Sequence, residues 1–362
     1  MNRRRFGSLL AALLALLCVG YGLAEAQRRP TVASGLTVHE WGVWRLDATG
    51  QRVTHLQDLA NESPGFMFRV DGATSAPLVH GAQPQPLPPP NPVHPVHPVH
   101  PVHPAPPIGP QSWSGVQVQP GNVVARKPVI FLQARRETDV RLEVRFVGGD
   151  PWLHYPAAQI LRDGGDPGLR FVGRVAPRAA TRLAPVAAGH FWQGLRDVGA
   201  GLFLAPDGTA EQFLFYDGPV GFTPSFQAPS DAEPLVRLQG AQETIAFRVS
   251  GSTYERWTVV PPGAGAGASL TQPMSRSAGG DLVAFRRELE RTARAQGLNA
   301  AEARSLLDTW GDELFGVPGG PAPAPRLVYF ITRARYDAML PLRVSPTPDA
   351  VVRVGLVIVP RS

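Results

Sequence analysis

The sequence contains very little cysteine and very little lysine. Cys18 is the single cysteine of the 362 residues and Lys127 the single lysine. Because Cys18 falls in a segment that we expect to be removed, the remaining chain would have no thiol, which excludes disulfides, zinc–thiolate sites, haem attachment and cysteine nucleophiles. Hydrophobic residues make up 43% of the chain, enough to fill a core. The whole chain is therefore not of the disordered, collagen-like or coiled-coil class.

The first 26 residues have the pattern of a secretory signal. Three arginines at 3–5 precede an apolar run at 9–17, and Ala-Glu-Ala at 24–26 is typical of a cleavage site. The run is shorter than the roughly 20 residues that a bilayer span needs, and no later segment is apolar enough. We therefore predict an exported protein, periplasmic or extracellular, with no transmembrane span in the mature chain. The ordinary secretory route is favoured, with twin-arginine export as the alternative.

Positive charge only slightly exceeds negative charge. Loss of the signal would lower the net charge from +6 to +4, because the signal carries three Arg and one Glu. After residue 27 no basic run is longer than two arginines. Binding to nucleic acid needs many phosphate contacts, which normally show as a basic face or run. We therefore predict no nucleic-acid partner.

Proline interrupts the chain most strongly between residues 84 and 110. There, the segment 92–104 consists of four Pro-Val-His units and a closing proline. This spacing predicts extended polyproline II, because proline fixes φ and has no backbone N–H. Successive histidines would lie about 9 Å apart, too far for one straight segment to chelate one ion. A spacer is the favoured interpretation, and weak divalent-metal binding by kinking or by bridging chains is the alternative.

Most of the remaining sequence has the patterns of short β-strands. In the segment 140–146, apolar residues alternate with charged ones, which predicts a strand with one buried face. Asp207-Gly208 between the apolar segments 201–205 and 212–216 predicts a hairpin. We therefore expect a mainly β protein, folded as an antiparallel β-sandwich. Further strands are predicted at 37–46, 128–132, 235–238, 245–249, 257–260, 327–332, 340–344 and 351–359.

One region has helical periodicity instead. The segment 281–296 carries an apolar stripe at helical spacing, and Gly297 after it is a typical helix stop. Asn299 and Glu302 form a capping-box pattern at the start of a second helix. Together they predict a helical hairpin inserted between the later strands. The predicted segments are a signal peptide (1–26), an N-terminal strand segment (27–81), a Pro/His-rich insertion (82–122), a β-sandwich core (123–260), a Gly/Ala/Pro linker (261–278), the helical hairpin (279–316), a Pro/Gly loop (317–325) and C-terminal strands (326–362).

Several short segments match one pattern together. Residues 39–44 read H-E-W-G-V-W, 127–132 read K-P-V-I-F-L, 153–156 read L-H-Y-P and 211–216 read E-Q-F-L-F-Y. In this combination the chain resembles a family of uncharacterised secreted bacterial proteins that carry H-E-W-G-T-F shortly after the signal. It departs from that family at residues 43, 44 and 152–154. The resemblance implies export and no particular activity.

His39 and Glu40 begin like the zinc-protease motif H-E-x-x-H, but the fifth position is Val43. Because neighbouring side chains of a strand point to opposite faces, His39 and Trp41 would share one face and Glu40 the other. The favoured interpretation is an aromatic-rich core strand, with a ligand site on one face or a catalytic site as the alternatives. The candidate binding residues are His39, Glu40, Trp41, His154 and Tyr155.

The sequence carries no local signature of catalysis or of cofactor binding. It lacks G-x-S-x-G, S-x-x-K and a phosphate-binding loop, so we predict no catalytic residue, no metal ligand and no cofactor. The acidic segment 163–166 favours a turn, with a calcium site as the alternative. Sugar stacking on an exposed groove would need aromatic residues. The candidates for it are Trp113, Trp152, Tyr155, Trp192 and Trp257.

The favoured function is an exported, non-enzymatic binding or structural protein of the cell envelope or extracellular space, with an envelope polysaccharide or a protein as its partner. The alternatives are a hydrolase with a site near His39, Glu40 and His154, and a metal binder that uses the Pro-Val-His repeat.

Overall fold

The structure, a computed structural model, describes residues 34–46, 63–77, 121–177, 181–227, 234–260, 271–317, 319–321 and 324–360. The predicted signal at 1–26 and the Pro-Val-His repeat at 92–104 lie outside these residues, so what the sequence predicts for them stays a prediction. Within the described residues the protein is mainly β, which confirms the predicted fold class at that level.

Nineteen strands and five helices make up the described part of the chain. The strands are β1 (Leu36–Arg45), β2 (Phe68–Asp71), β3 (Thr74–Pro77), β4 (Gly121–Ala134), β5 (Thr138–Arg145), β6 (Leu153–Tyr155), β7 (Gln159–Leu161), β8 (Gly168–Ala176), β9 (Leu202–Leu204), β10 (Ala210–Glu211), β11 (Leu214–Phe222), β12 (Phe226–Gln227), β13 (Val236–Leu238), β14 (Ile245–Ser250), β15 (Thr253–Val259), β16 (Thr271–Asp281), β17 (Arg326–Ile331), β18 (Leu342–Ser345) and β19 (Ala350–Pro360). The helices are α1 (Phe191–Arg196), α2 (Leu282–Ala295), α3 (Ala300–Thr309), α4 (Gly311–Phe315) and α5 (Arg333–Met339).

The strands form one large and one small sheet. The large sheet has 13 strands in the order β12-β13-β16-β15-β14-β17-β19-β1-β4-β11-β6-β2-β3. Its pairs are antiparallel except β1 with β19, which run parallel and bring the first and last described strands together. The small sheet has the order β10-β9-β8-β5-β18, with β7 also paired to β8. The large sheet is therefore mixed, whereas the sequence predicts only antiparallel pairing.

Strand β1 lies inside the large sheet and is buried on both faces. Val38 belongs to a hydrophobic cluster that also contains Leu142 and Phe171 of the small sheet. Trp41 belongs to a second cluster that also contains Leu289 of α2 and residues of α3. We call the side of the large sheet that carries Val38 the first face and the side that carries Trp41 the second face. The segment carries Val and Trp on both faces, although Thr37, His39 and Glu40 interrupt its apolar residues.

Helix α2 begins and ends where the sequence predicts, and α3 begins there. The second predicted helix was to include Trp310 and Leu314, but α3 ends at Thr309 and Leu314 lies on the separate helix α4. Asp281 caps α2 by accepting a hydrogen bond from the Ala284 N–H at 2.8 Å. Gly297 follows α2 with φ of +111°, a backbone conformation that glycine tolerates best. Asn299 and Glu302 form the predicted capping box at the start of α3. The buried side chains of α2 are the predicted apolar stripe, which packs on the second face.

Several local predictions differ from the structure. The hairpin at Asp207-Gly208 joins β9 to the two-residue β10, while β11 leaves it for the large sheet. Strand β16 begins at Thr271, inside the predicted linker 261–278. Its side chains are mostly exposed, so no alternating apolar pattern marks it as a strand. Helices α1 and α5 lie in segments predicted to hold only strands, because six or seven residues are too few for helical periodicity to show.

Candidate functional site

Glu40 is fully buried on the first face of the large sheet. Its carboxylate accepts hydrogen bonds from the Tyr216 hydroxyl, from the Tyr336 hydroxyl at 2.8 Å and from Arg353 Nε at 2.7 Å. Burial, and next the negative charge of Glu40, raise the pKa of both Tyr216 and Tyr336 well above the ordinary value. Both phenols therefore stay protonated and act as donors, and the carboxylate is fully engaged.

Arg353 is the positive partner of this buried carboxylate. It lies opposite Glu40 on the neighbouring strand β19 and has no exposed side-chain surface. Its Nη1 donates to Asp337 at 2.8 Å and to the Leu340 carbonyl at 2.7 Å. Its guanidinium carbon lies 4.2 Å from the ring centroid of Tyr336. These contacts join β1, β11 and β19 to α5. Only Nη2 of Arg353 is buried without a hydrogen-bond partner, and this enclosed cluster is architectural.

His39 points to the opposite, second face, where α3 covers it. Its Nδ1 lies 2.8 and 3.0 Å from the two carboxylate oxygens of Glu302. Glu302 is fully buried, whereas the His39 side chain keeps 17% of its surface exposed. The same carboxylate accepts the Asn299 N–H at 2.9 Å, as part of the capping box. Glu302 therefore fixes the imidazole ring and leaves Nε2 as the nitrogen that it does not engage.

Trp41 and Tyr155 lie on the second face as core residues. Trp41 is fully buried, and Tyr155 is 2% exposed. The Tyr155 ring packs against Phe66 at 4.7 Å and against Trp192 at 6.0 Å between centroids. Burial, and next the charge of Glu211, raise the pKa of Tyr155 to about 12. Neither ring offers an exposed surface to a ligand.

His154 is fully buried near the edge of the large sheet, on strand β6. Its Nδ1 lies 3.0 Å from the Pro156 carbonyl oxygen and its Nε2 lies 2.8 Å from Ser75 Oγ. Burial lowers the pKa of His154 to about 4, so the ring is neutral at physiological pH. The ring lies parallel to that of Phe68, with 5.3 Å between centroids.

The five predicted binding residues therefore do not converge on one site. His39 bonds to α3, Glu40 to β11, α5 and β19, and His154 to the β2–β3 hairpin, and no hydrogen-bond partner is shared between them. Trp41 and Tyr155 share the second face with His39, but as buried core. As the strand pattern predicts, the imidazole of His39 and the carboxylate of Glu40 point away from each other.

An open groove lies elsewhere, between α2 and the large sheet. It has a volume of about 860 Å³. Its base is apolar, with Ile245 and Phe247 of β14, Phe330 of β17 and Val352 of β19. Charged side chains of both signs line its sides. They are Glu243, Arg256, Glu288, Arg291 and Arg333.

Sequence reasoning missed the residues that complete these arrangements. Glu302 was recognised as a helix cap but not as the partner of His39. Arg353 lies in a predicted strand with no sign that its charge would be buried. Ser75 belongs to a short hairpin that carries no motif. In each case the partner is far away along the chain, 263 residues for Glu302, 313 for Arg353 and 79 for Ser75, so no local spacing could reveal it.

The described residues have neither a metal-binding cluster nor a membrane-spanning helix. No group of three or more His, Cys, Asp or Glu side chains in that part of the chain is arranged to hold a metal ion. Nor does any described helix combine the length and apolar character needed to cross a membrane. Comparison of the chain with protein-family models, with curated proteins and with solved structures finds no match.

Proposed function

We propose that this protein is an exported binding protein of the cell envelope or extracellular space, and that its ligand occupies the groove between α2 and the large sheet. The observation that carries the proposal is the groove itself, an apolar base of about 860 Å³ with charged sides. A concave apolar surface with a few polar groups is the usual form of a binding site. Export is supported by the first 26 residues and by the resemblance to secreted proteins.

The scaffold that we propose for this groove is a β-sandwich with an inserted helical hairpin. The first hydrophobic cluster, which joins residues of both sheets, supports the sandwich. The hairpin is supported by α2 and α3, which follow each other closely and share the second cluster. In this arrangement the helices cover the second face of the large sheet, and the groove is the part of that face that α2 leaves open.

The groove favours a protein ligand over a polysaccharide. Sugars are normally held by stacking on exposed aromatic rings. Of the predicted candidates, Tyr155, Trp192 and Trp257 are at most 5% exposed, Trp152 is partly buried and does not line the groove, and Trp113 lies outside the described residues. Strand β17 ends at Ile331, which pairs with Gly355 of the antiparallel strand β19. Residues 350–354 of β19 therefore extend beyond the end of β17, beside the groove. An extended peptide can add to such a strand by backbone hydrogen bonds if it displaces Arg333, whose Nη1 donates to the Val351 carbonyl there. Charged sides of both signs suit a polar peptide.

The test is selection from a random peptide library displayed on phage, followed by calorimetry with the selected synthetic peptides. We expect saturable binding to the wild-type protein. Gln296→Trp places a large side chain at the C-terminal end of α2, where it lines the groove. The expected result is at least a tenfold loss of affinity. Val283→Trp is the matched control, because Val283 is 57% exposed on the same helix but outside the groove, and it should bind as wild type.

Two outcomes would contradict the proposal. One is that no selected peptide binds saturably to the wild-type protein. The other is peptide binding that Gln296→Trp and Val283→Trp leave equally strong. A parallel titration with envelope polysaccharides tests the glycan alternative, and saturable glycan binding without peptide binding would favour that alternative instead.

The geometry does not favour the hydrolase built on His39, Glu40 and His154. His39 lies on one face of the large sheet and Glu40 on the other, and both oxygens of the Glu40 carboxylate are hydrogen-bonded. One substrate cannot contact both groups across a sheet. Metal binding by the Pro-Val-His repeat stays a prediction, since the repeat lies outside the described residues.

A further inference from the structure

The hairpin of β2 and β3 brings a serine hydroxyl to a buried histidine. Strand β3 is the edge strand of the large sheet, and β2 pairs with β6 on its other side. Ser75 lies on β3 in an exposed position, while His154 on β6 has no exposed surface. Their side chains meet on the first face, with 2.8 Å between Ser75 Oγ and His154 Nε2. An exposed hydroxyl therefore covers a buried imidazole.

The bonding partners determine which way the protons point. The Pro156 carbonyl, 3.0 Å from His154 Nδ1, can only accept, so Nδ1 carries the ring proton. In the neutral ring Nε2 then holds a lone pair, and the Ser75 hydroxyl must donate to it. Serine donating to Nε2, with Nδ1 held by an acceptor, is the arrangement that activates a serine nucleophile. Here a backbone carbonyl stands where a carboxylate commonly orients the base.

The imidazole is held rigidly in this orientation. Phe68 stacks on it with an angle of 11° between the rings, and Phe171 meets it edge-on at 6.3 Å between centroids. Burial keeps the ring in the neutral form that can accept a proton, since its pKa is about 4. The low pKa also makes it a weak base, so we expect slow chemistry.

We propose that Ser75 and His154 form an acyl-transfer site in which Ser75 is the nucleophile and His154 the general base. Ser75 Oγ attacks the carbonyl carbon of an ester while its proton passes to His154 Nε2. The ester C–O bond then breaks, and the leaving alcohol takes that proton. Water, activated by the same nitrogen, hydrolyses the acyl-serine to a carboxylic acid and restores the hydroxyl.

The surroundings point to esters with short acyl groups. Residues 71–75 of the hairpin are all exposed, so they form no apolar wall that could hold a long acyl chain. Arg162 donates to the Gly72 carbonyl at 3.2 Å and pairs with Asp150 at 2.6 Å, so the turn of the hairpin is held by a neutral ion pair. The site is far in sequence from the groove residues and acts independently of the proposed peptide binding, so either proposal can fail alone.

The experiment measures hydrolysis of p-nitrophenyl acetate and of its decanoate, together with labelling by a fluorophosphonate probe and peptide mapping. We expect turnover of the acetate, slower turnover of the decanoate, and one phosphonylated residue, Ser75. Ser75→Ala should abolish the labelling and lower acetate turnover at least about a hundredfold, the usual effect of losing a positioned acid–base pair. His154→Gln, which can still hydrogen-bond to Ser75, should lower it similarly.

Ser250→Ala is the matched control, an exposed serine at the end of β14 that should react as wild type. Melting curves show which variants are folded. Because Ser75 is exposed, Ser75→Ala should fold even if His154→Gln does not. In that case the labelling and turnover of Ser75→Ala are sufficient to test the proposal. Label on other residues only, or equal turnover by wild type and Ser75→Ala, would overturn the proposal and leave Ser75 as a cap on a buried histidine.

Discussion

His154 should make the stability of the fold depend on acid in a defined range. Its pKa is about 4 in the folded protein, against an ordinary value of 6.5, because burial disfavours the charged ring. Between these two values the unfolded chain binds a proton that the folded protein does not. Stability therefore rises with pH through this range, is fully present above pH 6.5, and is lost as the pH falls toward 4.

The magnitude follows from the same two values. Each tenfold difference in proton affinity corresponds to about 1.4 kcal/mol. Lowering the pH from 7.5 to 5.0 should therefore remove about 2 kcal/mol of unfolding free energy through His154 alone, and further acidification to pH 4 raises the loss to about 3 kcal/mol. Losses of this size are a large part of the marginal stability of a typical domain.

The assay is urea unfolding at pH 7.5 and at pH 5.0 for wild type and for His154→Gln. Carboxylates and the other histidines titrate in both proteins, so the difference between their pH dependences isolates His154. A direct reading comes from the NMR shift of the His154 ring protons, which should stay at the neutral value down to pH 5. Parallel pH dependences of the two proteins, or an NMR midpoint near 6.5, would refute the reasoning.

Two further predictions concern the buried core. Glu40→Leu should destabilise the protein by about 3–5 kcal/mol, because it removes the fully buried partner of Arg353 and leaves the partly exposed Asp337 as its remaining carboxylate, whereas the double variant Glu40→Leu/Arg353→Met should recover most of that loss in denaturant unfolding. An unchanged midpoint for Glu40→Leu would contradict the pairing. Gly149→Ala would place a Cβ 1.7 Å from the Pro219 carbonyl oxygen and should cost about 1–3 kcal/mol or more, while Gly194→Ala, with no atom within 4 Å, should melt at or above the wild-type temperature.

Local pattern explains how much of this fold could be predicted. Alternation identifies β5, because one of its faces is exposed to water and the other is buried. The Val and Trp residues of β1 identify it as a strand. Caps identify both ends of α2 and the start of α3. The parallel pairing of β1 with β19 could not be predicted, since strands 36–45 and 350–360 carry no signal of which partner each will choose. Burial makes a strand recognisable, and only tertiary packing decides its neighbours.

Three buried glutamates in the motifs of the sequence show why the candidate site was harder to predict than the fold. Glu40, Glu211 and Glu302 are all fully buried, and each bonds to a basic side chain and to at least one further donor. A buried carboxylate is tolerated when such hydrogen bonds satisfy it, and because its oxygens are then engaged it does not bind a substrate. A catalytic side chain needs one hydrogen bond that orients it and a reactive atom that a substrate can reach. Ser75, which is exposed and hydrogen-bonded to the buried His154, meets that condition, and it lies in a segment whose sequence resembles an ordinary turn.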